Sequence, residues 1–378
     1  MMPGFSLMDW NRLAASTADL SHGQFSTTRK ITQAELRKHE EWMCIRGKVY
    51  DYTHYIPYHP GGAFELERGA GDDSTSLFEE FHPWVNVDAM FRRAQVGILI
   101  EPFPWSQVNL VSRQHLASQF YFIRFEIKNS NLLEEIKSAK SSVIFHVKIR
   151  TKMGPAKRFI ERPYTPLIGT YLDPENDDDA TLTILLKKSL RRRRPAYLSH
   201  AFCEESPTVG YEFEMQVKPC TIAESWYFSA ESIGMICAGS GITPALQVLA
   251  REVQDPKSSR QLYLVWCNQT EKHIPLVEEL KLLMSLLRGR LKIIHLFSRL
   301  EDNLDKSKID FDGDFEVGRF DPDFLARRPD SLPSPPDDSK NSNTVSILIC
   351  GSWEFENSVR GTMFLHGFPS KNLIRIPG

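Results

Sequence analysis

Two histidines twenty-three residues apart, His59 and His82, offer the first chemistry in this chain. His59 opens the run His59-Pro60-Gly61-Gly62, where two residues without side chains let backbone approach a flat ligand closely. Two neutral imidazoles on opposite faces are the donor pair that a six-coordinate heme iron needs, and the spacing leaves room for a short helix, a loop and a second helix. A second run, Arg162-Pro163-Tyr164-Thr165-Pro166, joins a guanidinium suited to a pyrophosphate, a ring that can stack on an isoalloxazine and a hydroxyl that can hydrogen-bond a flavin ring nitrogen. A third, Ala238-Gly239-Ser240-Gly241-Ile242-Thr243-Pro244, follows an apolar stretch and opens a helical one, with Thr243 suited to capping and Pro244 to the first turn. Amides at such a helix start attract phosphate. Each run has an ordinary structural reading as well: satisfied histidines, a proline-bounded loop, a glycine-rich turn.

The elements that must position these residues fall into three zones. Residues 31–101 are mixed, with Thr32 as a cap before Gln33-Ala34-Glu35-Leu36, a strand-like Trp42–Ile45 and glycine-rich turns. A leader precedes them over residues 1–30, and Pro102 and Pro104 mark residues 102–119 as a linker. Alternating apolar runs such as Phe120–Ile127 and Val143–Ile149 predict an antiparallel all-β unit over residues 120–231. From residue 232 to 378 strands and helices alternate, the pattern of a doubly wound parallel sheet, interrupted at 329–343 by a Pro-, Asp- and Ser-rich stretch expected to be a disordered surface loop. The fold class expected is thus multidomain α+β.

Composition bounds the function. In 378 residues, 46 Lys+Arg against 48 Asp+Glu leave a net charge of −2, so no overall basic field draws the chain to nucleic acid or to an anionic membrane. The 6 cysteines form no CxxC pair, which argues against a structural zinc site or a disulfide framework and for a reducing, cytoplasmic compartment. No apolar stretch is long enough to span a bilayer, and the N-terminus lacks the pattern of a signal peptide, leaving at most peripheral membrane contact.

The segment from Trp42 through Val49, Tyr50, His59-Pro-Gly-Gly62, Ala70-Gly71-Asp72 and Phe78 to His82 resembles the cytochrome b5 family. That resemblance implies a heme b domain with His59 and His82 as axial ligands. Arg162-Pro163-Tyr164-Thr165-Pro166, with His146 before it and Leu182–Lys187 after it, resembles the cytochrome b5 reductase branch of the ferredoxin-reductase superfamily. It implies an FAD-binding β-barrel in which Arg162, Pro163, Tyr164, Thr165, Lys187, Leu198 and Ser199 contact the flavin, Thr165 with a catalytic part. The glycine loop, with Asn268-Gln269-Thr270-Glu271 and Cys350-Gly351, resembles the NAD(P)H-binding lobe of the same reductases. Gly239, Ser240, Gly241, Thr243, Pro244 and Gly351 would then hold the nucleotide, with Cys350 beside the nicotinamide. Read alone, Cys350 is equally a small buried strand-end residue.

Together the zones resemble the fused soluble NAD(P)H cytochrome b5 oxidoreductases, whose leader is matched by Ser6-Leu7-Met8-Asp9-Trp10-Asn11-Arg12-Leu13. The resemblance implies electron flow from NAD(P)H through FAD and heme to an external one-electron acceptor such as cytochrome c, a ferric chelate or a lipid-modifying enzyme. It also implies association with the endoplasmic reticulum. Three features depart from that family. The β-sandwich module usual between heme and flavin units has no room in 102–119. Ala196-Tyr197-Leu198-Ser199, preceded by Arg191–Arg194, replaces Gly-x-Met-Ser, and Ser352-Trp353 replaces a proline-rich continuation after Gly351. The last two keep open a competing reading, a heme- or sterol-binding interaction protein with a degenerate, inactive reductase region, against which the retained Arg162–Pro166 and Gly239–Pro244 runs argue. At the end of the stretch Lys292–Phe297, Ser298 and Arg299 stand where NADH-preferring relatives place an Asp, and a hydroxyl plus a cation suit a 2′-phosphate. NADPH is therefore expected to serve at least as well as NADH. Steady-state kinetics check this: a much lower KM for NADH, with Arg299→Ala without effect, contradicts it.

Overall fold

The computed structural model describes residues 5–82, 84–100, 104–153, 158–169, 180–188, 198–203, 212–219, 224–300, 313–336 and 345–376. Contacts divide the chain into two units, one built from residues up to Ser106 together with Arg150–Arg162, the other from Gln107–Ile149 and Pro163–Ile376.

In the first unit, strands β1 (Lys30–Ile31), β2 (Trp42–Ile45), β3 (Lys48–Asp51) and β4 (Gln95–Leu99) form a sheet in the order β1-β4-β3-β2. Arg46 and Gly47 both take positive φ, 53° and 77°, so the two-residue connection between β2 and β3 twists with its strands. Thr32 caps the helix Gln33–Leu36 as expected, its hydroxyl accepting from Glu35 N. The leader is ordered: Ser6 and Asp9 form a reciprocal capping box that starts the helix Leu7–Ala15. Trp10 on that helix is fully buried, its indole donating to Met90 O at 3.2 Å and its ring lying against Tyr55, Tyr58 and Phe91.

Next in the chain come β5 (Ser106–Ala117), β6 (Phe120–Glu126), β7 (Phe145–Met153), β8 (Arg158–Tyr164), β9 (Thr181–Lys187) and β10 (Phe213–Pro219), a six-stranded sheet ordered β8-β7-β10-β5-β6-β9. Pairing of β5 with β6 and of β6 with β9 is antiparallel. Beyond β8, Pro166 bridges to Ile184 and Leu167 N donates to Thr183 O at 2.9 Å, bringing the chain after one edge strand onto the other edge and curling the sheet toward a barrel. The expected linker 102–119 is corrected here. Residues 106–117 are strand, and they read as linker because half of their side chains are exposed, only Val108 is buried and most are polar.

The rest of the second unit is the parallel sheet: β11 (Ser232–Ala238), β12 (Gln261–Asn268), β13 (Leu291–Phe297), β14 (Asp314–Val317), β15 (Val345–Cys350) and β16 (Leu373–Arg375), ordered β14-β13-β12-β11-β15-β16. All adjacent pairs run parallel. Both faces of the central strands are buried, which is why β11, β12, β13 and β15 read as continuous apolar runs. The disordered loop expected at 329–343 is corrected over its first half. Ser331, Leu332 and Pro333 are buried, Leu332 in the core beside Ile347, because this polar stretch carries one apolar anchor that the sheet covers. Residues 337–343, like Arg191–Arg194, Ala196 and Tyr197, lie outside the described residues. Among the described residues no helix is long and apolar enough to cross a membrane.

Removing the leader's anchor should be costly. Trp10→Ala is expected to lower the unfolding free energy of the first unit by about 3–5 kcal/mol, read from chemical denaturation curves.

Candidate functional site

His59 ends the 3-10 segment Thr53–Tyr58 and His82 ends the helix Thr75–Phe81, so each imidazole is set by the last turn of a short helix. Their ring centres stand 6.2 Å apart with planes at 82°. Metal–imidazole bonds of about 2 Å on either side of one iron, with about 1 Å more from nitrogen to ring centre, require about 6 Å. His59 Nδ1 lies 2.8 Å from Gly62 O, which commits that nitrogen to donation and leaves Nε2 with the lone pair. Burial and then the nearby His59 push the His82 imidazole below its usual range, favouring the neutral form that a metal needs. A cavity of about 460 Å³ opens here, walled by Met43, Ile45, Tyr50, Tyr55, Leu66 and Phe91 among others. Leu7 of the leader also lines it. A Cβ on Gly61 would stand 2.8 Å from His59 Cε1, so only glycine leaves the ring in place. These residues fit a heme between two imidazoles. The sequence assigns the tyrosines no part in this wall, although Tyr50 belongs to the segment that resembles cytochrome b5. Tyr50 reaches the wall because its hydroxyl donates to Asp88 Oδ1 at 2.7 Å, and Tyr52 because its own donates to Glu40 O at 2.5 Å.

Of the second run, Arg162 lies in the first unit, where Nη1 and Nη2 each donate to a carboxylate oxygen of Glu80 at 2.7 Å. Its fork therefore already holds a planar anion, in the geometry that a phosphate also takes. Pro163 follows it on β8, and the Tyr164 ring stands edge-on to Phe202, 5.8 Å between centres. Thr165 is buried with its hydroxyl 2.8 Å from His146 Nδ1. The other nitrogen of that ring, Nε2, is buried without a hydrogen-bond partner. Leu198 and Ser199 are buried at the start of the helix Leu198–Cys203. Burial lowers the Lys187 ammonium from its usual range, and its Nζ lies 5.4 Å from the centre of the Phe120 ring. Gln247 carried no sequence signal beyond being a polar residue on an apolar helix. Its fully buried amide accepts from Phe145 N at 2.9 Å and donates to Pro166 O at 2.8 Å, tying the end of the second run to the glycine-loop helix.

The third run lies where the parallel sheet changes direction of connection. β11 has β12 and β13 on one side and β15 on the other, so the loops after β11 and β15 part at their carboxyl ends. Gly239–Ile242 wind as a 3-10 turn, with Gly239 at φ +55° and its carbonyl accepting from Trp266 Nε1 at 2.9 Å. A Cβ on Gly241 would meet Cys350 O at 2.6 Å, so the two loops touch backbone to backbone. The capping role expected of Thr243 is corrected. The preceding turn runs straight into the helix Thr243–Gln254, so Thr243 is already helical, and its hydroxyl donates back to Ser240 O at 3.2 Å. Pro244 sits in the first turn as expected. Cys350 ends β15, its thiol pushed up by burial and then by Glu356. Gly351 N donates to Glu356 Oε1 at 3.1 Å, and Arg375 Nε and Nη2 bond the other carboxylate oxygen at 3.1 and 3.0 Å. Ser298 and Arg299 are exposed just beyond β13, their amides donating to Asn268 O and Gln269 O.

The buried His146 makes stability depend on pH. Burial, and then the charge of Lys218, push its imidazole from 6.5 down to about 3. Below about pH 6.5 the unfolded chain takes up a proton that the folded chain refuses until about pH 3, so stability is full above that window and falls as pH drops through it. Urea unfolding between pH 7 and pH 4 should show a steeper loss for the wild type than for His146→Gln.

Comparison with known proteins identifies two families in the chain. Residues 29–100 match the cytochrome b5-like heme/steroid binding domain family, and residues 235–361 match the oxidoreductase NAD-binding domain family. Cytochrome b5 reductase 4 of Danio rerio is 44% identical over 114 residues, covering 29% of this chain and 21% of that protein. Nitrate reductase [NADPH] of Beauveria bassiana is 23% identical over 375 residues, covering 89% of this chain and 39% of that protein. The chain thus spans less than half the length of either relative. The crystal structure of the cytochrome b5 reductase domain of Ulva prolifera nitrate reductase superposes with a TM-score of 0.53 at 18% identity, over 72% of this chain and 97% of that one, which is a likeness of fold. The chain is a fusion of a cytochrome b5-like domain with an oxidoreductase NAD-binding domain, homologous to cytochrome b5 reductase 4 and to nitrate reductase.

Proposed function

We propose that this protein is an NAD(P)H-dependent oxidoreductase with cytochrome-b5 reductase activity, passing electrons from nicotinamide through FAD to a bis-histidine heme b and on to an external acceptor. The observation that carries the reading is the pair of facing imidazoles, His59 and His82, in one apolar cavity. A heme held there would supply one-electron chemistry, and FAD would link it to a two-electron donor.

The chain's own residues bind, orient and shield. His59 and His82 would hold the heme iron, with Gly61 and Gly62 leaving room beside the His59 ring and the cavity wall keeping water away. Arg162 would take the flavin pyrophosphate, Pro163 and Tyr164 the ring, and Leu198, Ser199 and Lys187 its flank. Thr165 would address a flavin ring nitrogen, its hydroxyl oriented by a His146 that burial keeps neutral across physiological pH. Gly239, Ser240, Gly241, Thr243 and Pro244 would receive the nucleotide phosphates at the helix start, Ser298 and Arg299 its adenosine end, and Cys350 with Gly351 the nicotinamide. Glu356 supports the last by holding the Gly351 amide. An external one-electron acceptor completes the reading, such as a cytochrome c, a ferric chelate or a lipid-modifying enzyme, with peripheral association with the endoplasmic reticulum.

Purified full-length chain tests this directly. A Soret band together with flavin absorbance, and heme reduction on adding NADPH, is the expected result. Either His59→Ala or His82→Ala should abolish the low-spin heme spectrum and heme reduction, while flavin is still reduced. Heme without flavin, or flavin that nicotinamide does not reduce, overturns the reading.

A further inference from the structure

Glu80 stands two residues before His82, on the helix that sets that imidazole. Both of its carboxylate oxygens are taken by the two terminal nitrogens of Arg162, at 2.7 Å each, and both residues belong to the first contact unit. Arg162 Nη1 also donates to Glu161 O at 2.7 Å, which holds the plane of the fork. This fork-to-fork arrangement is how a guanidinium grips either a carboxylate or a phosphate, so Glu80 occupies the donors that a pyrophosphate would use. The neighbouring Glu79 turns elsewhere, its Oε1 accepting from Arg46 Nε at 3.1 Å.

The pair is open to solvent. Arg162 and Glu80 side chains are 28% and 32% exposed, so water reaches both and separating them strands no buried charge. Glu356 paired with Arg375, and Glu252 paired with Arg260 and Arg290, show the structural alternative: both carboxylates there are fully buried and cannot be released cheaply.

We propose that Glu80 is an internal competitor for the phosphate-binding fork of Arg162, so that flavin loading requires this carboxylate to leave and is thereby coupled to the helix carrying His82. The inference rests on the reading of Arg162 as the flavin-pyrophosphate residue. Linkage makes the coupling reciprocal: filling Arg162 with phosphate frees Glu80, and whatever holds Glu80 weakens flavin binding.

The test uses the full chain, heme-loaded and stripped of flavin, titrated with FAD and followed by flavin fluorescence. Glu80→Gln, and independently Glu80→Ala, should bind FAD about fivefold more tightly than the wild type, the scale expected for an exchangeable ion pair. Riboflavin, which lacks the pyrophosphate, should bind all three alike, and Glu79→Gln should bind FAD as the wild type does. FAD binding should also shift the heme spectrum or midpoint potential of the wild type but not of Glu80→Gln. If FAD affinity does not rise in the Glu80 variants, or riboflavin gains equally, the competition is wrong while the flavin reading stands. A wild type and variants that bind no FAD overturn the flavin reading and the competition with it.

Discussion

The heme-side unit depends on keeping two imidazole centres 6.2 Å apart across an apolar space. A cavity lined by side chains tends to close, because packed walls recover dispersion contacts that an open gap forfeits. Here the walls are held from behind. Tyr50 and Tyr52 are buried aromatic rings whose hydroxyls are tied to Asp88 and to the Glu40 carbonyl, so each ring has one position that satisfies its polar end. Burial and the Asp88 carboxylate push the Tyr50 phenol well above its usual range, keeping it a donor. Trp10 braces Tyr55, Phe91 and Met90 from outside, which makes the leader helix part of the cavity's frame.

On the reductase side the governing constraint is close backbone approach at the carboxyl edge of a sheet buried on both faces. Gly241 and Cys350 O leave no room for a Cβ, and Gly351 is pressed in turn by Phe355 Cδ1, 2.6 Å from where its Cβ would be. Such contact brings the loops after β11 and β15 together at the carboxyl ends of their strands, which is where sheets of this kind receive ligands. Buried polar residues hold this edge in register. Glu356 accepts from Gly351 N and from Arg375, joining the loop after β15 to the last strand. At the opposite edge of the sheet, burial raises the Glu252 carboxyl but hydrogen bonds from Ser258, Tyr227 and Arg290, with the charge of Arg260, outweigh it and hold the group ionised. Removing one member of either cluster leaves a buried charge, which is why these networks act as fixed framework.

The same chemistry appears at both ends of that range. Arg162 with Glu80 has the geometry of the buried pairs but not their burial, and exposure decides whether an ion pair is framework or exchangeable.

Local rules carried much of this in one dimension. His59-Pro-Gly-Gly62 with His82, the Arg-Pro-Tyr-Thr-Pro run and the glycine loop are legible because each needs particular residue types at short spacing, and β11, β12, β13 and β15 are legible because two-sided burial makes them uniformly apolar. Strand β5 was not, since a strand that buries only Val108 has the composition of a linker. Nor was the order of residues 329–336, which hangs on one anchor, Leu332. Gln247, Glu356 and Glu80 are single polar residues with no local pattern, and their partners lie 81, 19 and 82 positions away. Sequence alone determined which groups are present and which backbone turns they favour, because those depend on near neighbours. Only the tertiary structure decided which groups meet, because hydrogen bonds and ion pairs of that reach exist only after distant strands and helices have been packed against each other.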